Sequence, residues 1–300
     1  MNSITPKRCG FAAVIGAPNA GKSTLVNKLV GAKISIVSHK VQTTRARIRA
    51  IYLNGTSQVI LVDTPGIFKP RRKLDEAMVG NAWGGATEAD AVVLLIDARR
   101  GADEEAKAII ENFKNHHIKA ILVINKIDLI PAEKLLPLSE GINALCDFSE
   151  TFMVSALTGS GVERLGERLA ALMPVGEWLY PEDQTADVHL RFIASEITRE
   201  KIYERLHDEL PYSSTVETEA WEEHKNGSVK ISQTIFVERD TQKAIVLGKG
   251  GAQIKLLGQL ARAEMEESFE RKVHLFLFVK VRENWATDPE RLRMMGLELK

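Results

Sequence analysis

Gly16-Ala17-Pro18-Asn19-Ala20-Gly21-Lys22-Ser23-Thr24 stands between an apolar run, Phe11–Ile15, and a helical pattern over Lys22–Val30. Two glycines bracketing four residues, then lysine and a hydroxyl, match the Gly-x4-Gly-Lys-Ser pattern of a phosphate-cradling loop. A strand before it and a helix after it are the context that pattern requires. Gly16 and Gly21 let the backbone curl so that successive N–H groups face phosphate oxygens, and the helix N-terminus adds its positive dipole end. Lys22 would neutralise the β- and γ-phosphates and the Ser23 hydroxyl would ligate Mg2+. The loop implies a nucleoside triphosphate without saying which.

Working outward, apolar strands alternate with helical stretches over the first 175 residues. Phe11–Ile15, Arg49–Leu53, Gln58–Val62, Ala91–Ile96, Ala120–Ile124 and Thr151–Val154 read as strands, several continuously apolar as parallel strands buried on both faces are. Lys22–Val30, Asp103–His116 and Gly161–Leu172 read as helices. The expectation is an α/β fold with a mostly parallel sheet and ligands at the carboxyl ends of its strands.

Three further motifs fall at such strand ends. Asn125-Lys126-Ile127-Asp128 follows Ala120–Ile124. A carboxylate at Asp128 can accept from guanine N1–H and its 2-amino group, whereas adenine would leave it unpaired, a mismatch worth a factor of roughly 10⁴ or more. Asn125 would brace the loop and reach the base edge, Lys126 would lie over the ring, and Ser155-Ala156-Leu157 would lend a backbone N–H to the guanine carbonyl. Asp63-Thr64-Pro65-Gly66 ends another strand. Asp63 would hold Mg2+ through water, and the Gly66 N–H would sense the γ-phosphate and release its loop on hydrolysis. In Gln42-Thr43-Thr44-Arg45, one threonine must close the Mg2+ shell, and Thr44 is favoured.

Composition fits a soluble globular protein: 44% hydrophobic, 27% charged, net charge zero. The apolar runs are strand-sized, short of the roughly 20 residues a membrane span needs, and the N-terminal apolar stretch is too short for a secretory signal. Cys9 and Cys146 offer no metal or disulfide spacing and read as reduced thiols in a cytoplasmic protein. Zero net charge hides asymmetry. Met1–Val62 holds nine Lys/Arg and no acid, and Thr241–Ala263 is acid-free around Lys243, Lys249, Lys255 and Arg262. Such segments attract phosphates.

Met173–Asp183, with two prolines and a glycine, interrupts every period. The expected organisation is a nucleotide domain over 1–175, a linker over 176–190 and a second domain over 191–300. In the latter a helix near Glu196–Glu209 precedes alternating runs, Thr215–His224 and Ser228–Arg239, around the turn Asn226-Gly227. Val246-Leu247-Gly248-Lys249-Gly250-Gly251-Ala252-Gln253-Ile254 then reads as a short strand, a Gly-x-x-Gly loop and a helix start, with a last strand over Lys272–Arg282. KH domains clamp four nucleotides with such a loop. Its glycines permit close approach to the sugar-phosphate chain, Lys249, with Lys243 and Lys255, adds charge, and Ile245, Leu247 and Ile254 would receive unpaired bases. Arg271-Lys272 and the acids of Glu264–Glu270 read as a solvated helix end, and His116 and His117 as surface residues.

Together these motifs resemble the TRAFAC-class GTPases and, among them, the bacterial Era family, over essentially the whole chain. The resemblance implies slow GTP hydrolysis to GDP and phosphate and a type II KH domain on single-stranded RNA near the 3′ end of small-subunit ribosomal RNA. It also implies a role in small-subunit assembly and a monomer. Weak peripheral association with the inner membrane face is suggested for the family, though no amphipathic segment here supports it. One departure from Ras-like enzymes matters: their water-orienting glutamine is replaced by Ile67. Asn19 matches the asparagine with which potassium-activated relatives bind K+ beside the phosphates; the alternative is that it merely suits a tight turn. Two other readings weaken against the chain. A tRNA-modification GTPase would bring cofactor-binding domains and a catalytic cysteine, and a small-metabolite kinase would not need Asn-Lys-x-Asp.

Overall fold

The structure is a computed structural model that describes residues 6–38, 40, 43–70, 73–288 and 297. Gln42 therefore lies outside the described residues, as do most residues beyond 288. The chain divides into two units. The first comprises residues 1–35, 44–187 and 295–300, and the second residues 36–43 and 188–294.

In the first unit, β1 (Arg8–Gly16), α1 (Lys22–Val30), β2 (Ile48–Asn54), β3 (Ser57–Asp63), α2 (Lys73–Thr87) and β4 (Ala91–Asp97) come first. There follow α3 (Glu104–Asn115), β5 (Ile121–Asn125), α4 (Leu135–Asn143), β6 (Thr151–Val154) and α5 (Val162–Leu172). One six-stranded sheet runs β2-β3-β1-β4-β5-β6. All its pairings are parallel except β2 with β3, which are antiparallel. Every residue of β3, β4 and β5 is buried, as strands covered by helices on both faces must be. Helix α3 forms because Asp103 caps it, its carboxylate accepting the Ala106 N–H at 2.9 Å. It then turns Ala106, Ile109, Ile110 and Phe113 into the core.

The proline-rich stretch after α5 is an ordered strap on this unit. Val175 bridges to Arg8 and Ala186 to Ala50. The fully buried Gln58 side chain accepts the N–H groups of Leu179 and Tyr180 and donates to the Tyr180 carbonyl, at 2.8–3.0 Å.

The second unit contains α6 (Leu190–Arg205), β7 (Ser214–Glu223), β8 (Val229–Val237), α7 (Asp240–Leu247), α8 (Ala252–Phe269) and β9 (Val273–Val281). Its sheet runs β7-β8-β9, the first pair antiparallel and the second parallel. The order helix, hairpin, helix, glycine loop, helix, strand is the type II KH arrangement. Two expectations are corrected here. Val246-Leu247, expected as a short strand, is the end of helix α7: only Val246 of that helix is fully buried, a one-sided pattern that suits a short amphipathic helix. Glu264 is not a solvated residue, because its carboxylate meets the Lys201 ammonium at 2.5 Å. Arg271 likewise stacks over the Trp221 ring at 5.3 Å and pairs with Glu223.

Candidate functional site

Gly16 ends β1, Asp63 ends β3, Asp97 ends β4 and Asn125 ends β5, so one rim of the sheet gathers the first unit's polar motifs. The loop Gly16–Ser23 turns tightly at Asn19 and Gly21, both with positive φ, 62° and 98°. Glycine is needed at two points of close approach: a Cβ at Gly16 would strike the Leu95 carbonyl, and one at Gly66 would crowd Pro18. The Lys22 ammonium is buried in the cradle and donates to the carbonyls of Gly16 and Ala17 at 3.1 and 3.0 Å. Burial lowers its pKa to about 8, with the Asp63 and Glu105 carboxylates opposing the shift. An anion in the cradle would raise it again.

Ser23, Thr44 and Asp63 converge. The Ser23 hydroxyl donates to Asp63 Oδ2 at 2.8 Å and lies 2.9 Å from the Thr44 hydroxyl. Asp63 is fully buried, and its Oδ1 has no hydrogen-bond partner. Burial raises its pKa against the opposing pull of Lys22 and the neighbouring hydroxyls of Ser35, Ser23 and Thr44. Two hydroxyls and a carboxylate with an orphaned oxygen are a hard-oxygen donor set of the kind Mg2+ takes. Thr64 serves the backbone, donating to the Val14 carbonyl at 2.8 Å, and Pro65 and Gly66 are buried after it. Ile67, in the glutamine's position, packs into the core with Ala13, Ile15 and Ala82.

At the base end, Asn125 donates to the Ala20 carbonyl at 2.8 Å and accepts the Ala156 N–H at 2.9 Å. It therefore ties the phosphate loop to the Ser155–Leu157 turn, and the Ala156 N–H is committed to it. Lys126, at φ 64°, reaches the Asn19 carbonyl at 2.6 Å and Asp97 Oδ2 at 2.7 Å, while Asp128 and Leu157 are exposed beside it.

In the second unit the loop after α7 has positive φ at Gly248, Gly250 and Gly251. A Cβ at Gly248 would strike Gln253, whereas Gly250 and Gly251 face open space, where another chain can approach the backbone. The N-terminus of the 18-residue helix α8 points its dipole at this loop. Lys249, Lys255 and Ile245 are exposed and Lys243 half-buried. Leu247 and Ile254 pack partly against the core, so of the three apolar residues expected to receive bases only Ile245 is exposed.

Residues 11–126 match the family model described as a 50S ribosome-binding GTPase, and residues 209–286 match the KH domain model. The chain is 63% identical to GTPase Era of Afipia carboxidovorans over 98% of this chain and 95% of that one. It is 58% identical to GTPase Era of Brucella suis, over 98% and 94%. The chain belongs to the Era family of GTPases. Two Era crystal structures share its fold. A variant of Aquifex aeolicus Era bound to GDP·AlF4− has a TM-score of 0.90 at 37% identity, covering 96% of this chain and 99% of that one. Era in complex with MgGDPNP and nucleotides 1506–1542 of 16S ribosomal RNA has a TM-score of 0.91 at 38% identity, covering 97% and 99%. As an Era-family protein the chain is a GTPase.

Sequence reasoning missed two positioning residues of this Era-type site. Asp97 anchors both Lys126 and Arg99; its partner Asn125 across the β4–β5 register was the available signal. Burial alone would raise its pKa, but the Arg99 and Lys126 hydrogen bonds outweigh it and hold the carboxyl down at about 2. Asn27, on α1, donates to the Ser35 carbonyl and accepts the N–H groups of Ile34 and Ser35 at 2.7–2.9 Å. It fixes the start of the loop that returns to Thr44, and nothing local in the sequence marks it.

Proposed function

We propose that this Era-family chain is a GTP-dependent switch that grips single-stranded RNA near the 3′ end of small-subunit ribosomal RNA and acts in assembly of that subunit. The observation that carries the reading is the near-full-length likeness to an Era solved with MgGDPNP and 16S nucleotides 1506–1542. The open glycines of Gly248–Gly251 in an acid-free, lysine-bearing segment supply the chemistry for it. The likeness to 50S ribosome-binding GTPases covers only residues 11–126 and so touches none of the RNA loop.

Within the nucleotide site, Gly16–Thr24 would hold the phosphates, Ser23 and Thr44 would ligate Mg2+ and Asp63 would reach it through water. Asn125, Lys126, Asp128 and the Ser155–Leu157 turn would hold guanine. Bound Mg2+ supplies charge neutralisation on the β- and γ-phosphate oxygens. The core-facing Ile67 leaves no side chain there to orient water. We assign the missing charge stabilisation to K+ held beside the exposed Asn19, with hydrolysis slow and potassium-stimulated. The left-handed φ of Asn19 also suits asparagine on backbone grounds alone. Single-turnover rates in K+ and in Na+ separate the two: equal rates would end the potassium reading.

The RNA reading is tested by crosslinking and sequencing bound RNA, with the protein held in a non-hydrolysable GTP analogue and Gly250→Asp as control. A peak at the 3′ end of small-subunit ribosomal RNA that the variant loses is the expected result. A peak on tRNA, or one indifferent to the loop, refutes it. The expected monomer is checked by light scattering, and weak peripheral membrane association by sedimentation with anionic vesicles, where retention supports it and its absence refutes it.

A further inference from the structure

Residues 36–43 lie in sequence inside the nucleotide-binding half, yet they cluster with the second unit. Helix α6 holds this segment at three points. The Val37 N–H donates to Glu200 Oε1 at 2.7 Å. The Lys40 ammonium donates to the carbonyls of Tyr203 and Leu206 at the C-terminal end of α6, where cations are favoured. The Arg199 guanidinium donates to the Thr43 carbonyl.

Arg199 is 2% exposed, paired with Glu196 and laid over the Tyr203 ring at 5.3 Å. Burying a guanidinium carries a desolvation cost that packing a plain loop would not require. The carbonyl it grips belongs to the peptide unit whose other half is the Thr44 nitrogen. That unit is planar, so fixing the Thr43 carbonyl fixes the start of Thr44. The Thr44 hydroxyl in turn stands 2.9 Å from Ser23 Oγ.

We propose that Arg199 is a positioning residue for the GTPase reaction, holding Thr44 at the Mg2+ end of the nucleotide site through the Thr43 carbonyl, with Lys40 and Glu200 completing the clamp. The proposal rests on the reading of Thr44 as a Mg2+ ligand in the GTP state. Ile197 and Ile202 of the same helix sit in the second unit's core. By linkage, whatever displaces α6 weakens Mg2+·GTP binding by the factor through which Mg2+·GTP stabilises α6.

The test compares Thr44→Ala, Arg199→Ala, Arg199→Lys and Lys40→Ala in the full chain. It measures equilibrium binding of a fluorescent GTP analogue and of fluorescent GDP as Mg2+ is varied, with thermal melting alongside. Lys40→Ala leaves the α6 core untouched and keeps the test alive should Arg199→Ala fail to fold. Loss of a metal ligand in Thr44→Ala, and of a charged hydrogen bond in Arg199→Ala and Lys40→Ala, predicts roughly a tenfold rise in half-saturating Mg2+ for the GTP analogue. GDP affinity should hold, Arg199→Lys should recover part of the loss, and the Thr44→Ala, Arg199→Ala double variant should fall no further than Thr44→Ala. If Thr44→Ala shifts the Mg2+ dependence and neither clamp variant does, the proposal is overturned and the Thr44 assignment survives. If Thr44→Ala itself shifts nothing, the Thr44 assignment fails and the proposal goes with it. An equal loss of GDP and GTP-analogue affinity would also overturn it, leaving a structural role alone.

Discussion

Both ends of the Asn125 amide bond to backbone, one to the Ala20 carbonyl and one to the Ala156 N–H. Asn125→Ala strips two buried groups at once, and we expect a loss of about 2–4 kcal/mol. The midpoint of urea unfolding measures it, and GDP titration should show the accompanying loss of affinity. Asp97 makes a pH-dependent contribution of definite sign. Its folded pKa of about 2 lies below the unfolded value of about 3.9, so its stabilisation is fully present above pH 4 and is lost as pH falls through 2. The stability gap between wild type and Asp97→Asn should therefore narrow in unfolding curves taken from pH 6 down to pH 3. Ile67→Gln should not install the missing water-orienting group. The side chain at this position faces the core, so the amide would be buried unpartnered at about 1–3 kcal/mol, and single-turnover hydrolysis should not accelerate.

Elements announced themselves in the sequence where burial on both faces made long apolar runs, as in β3, β4 and β5. The end of helix α7 was misread because Val246-Leu247 sits in an apolar run too short for its period to be told from a strand. Helix α2 was not anticipated because Gly80, Gly84 and Gly85 dilute its pattern. Gly84 has a reason to be there: a Cβ on it would crowd the Arg47 guanidinium, which bonds to Asn81, whereas one on Gly85 would make ordinary contacts. Gly80 meets nothing within 4 Å. Gly80→Ala should raise stability by about 0.5–1 kcal/mol through lower unfolded-state entropy, seen as a higher melting temperature, whereas Gly84→Ala should not. The phosphate loop and Asn125–Asp128 were legible because each motif is local to one strand end. Asp97, Asn27 and Arg199 act on residues distant in sequence or on bare backbone, and single-sequence patterns carry no trace of such pairings.

At the scale of the molecule there are separate cores. One surrounds Ile15, Leu94, Phe113 and Leu122, and others gather around Val237 and Leu257 and around Ile231 and Met265. Unfolding should therefore show more than one transition. Trp285, 1% exposed with its indole N–H on the Ser213 carbonyl, belongs to the second unit. Trp285→Ala should destabilise that unit by about 3–5 kcal/mol, and calorimetry should show one transition move while nucleotide-protected unfolding of the first stays put. Residues 36–43 carry a consequence for dissection of the chain. A fragment stopped at Asp187 would keep the phosphate loop but lose the helix that Val37, Lys40 and Thr43 rest on, and that stretch should then be the first place a protease cuts. The two halves can be told apart by their cores, but they cannot be separated by scissors placed between them: the nucleotide half, made alone, would be an edited version of itself.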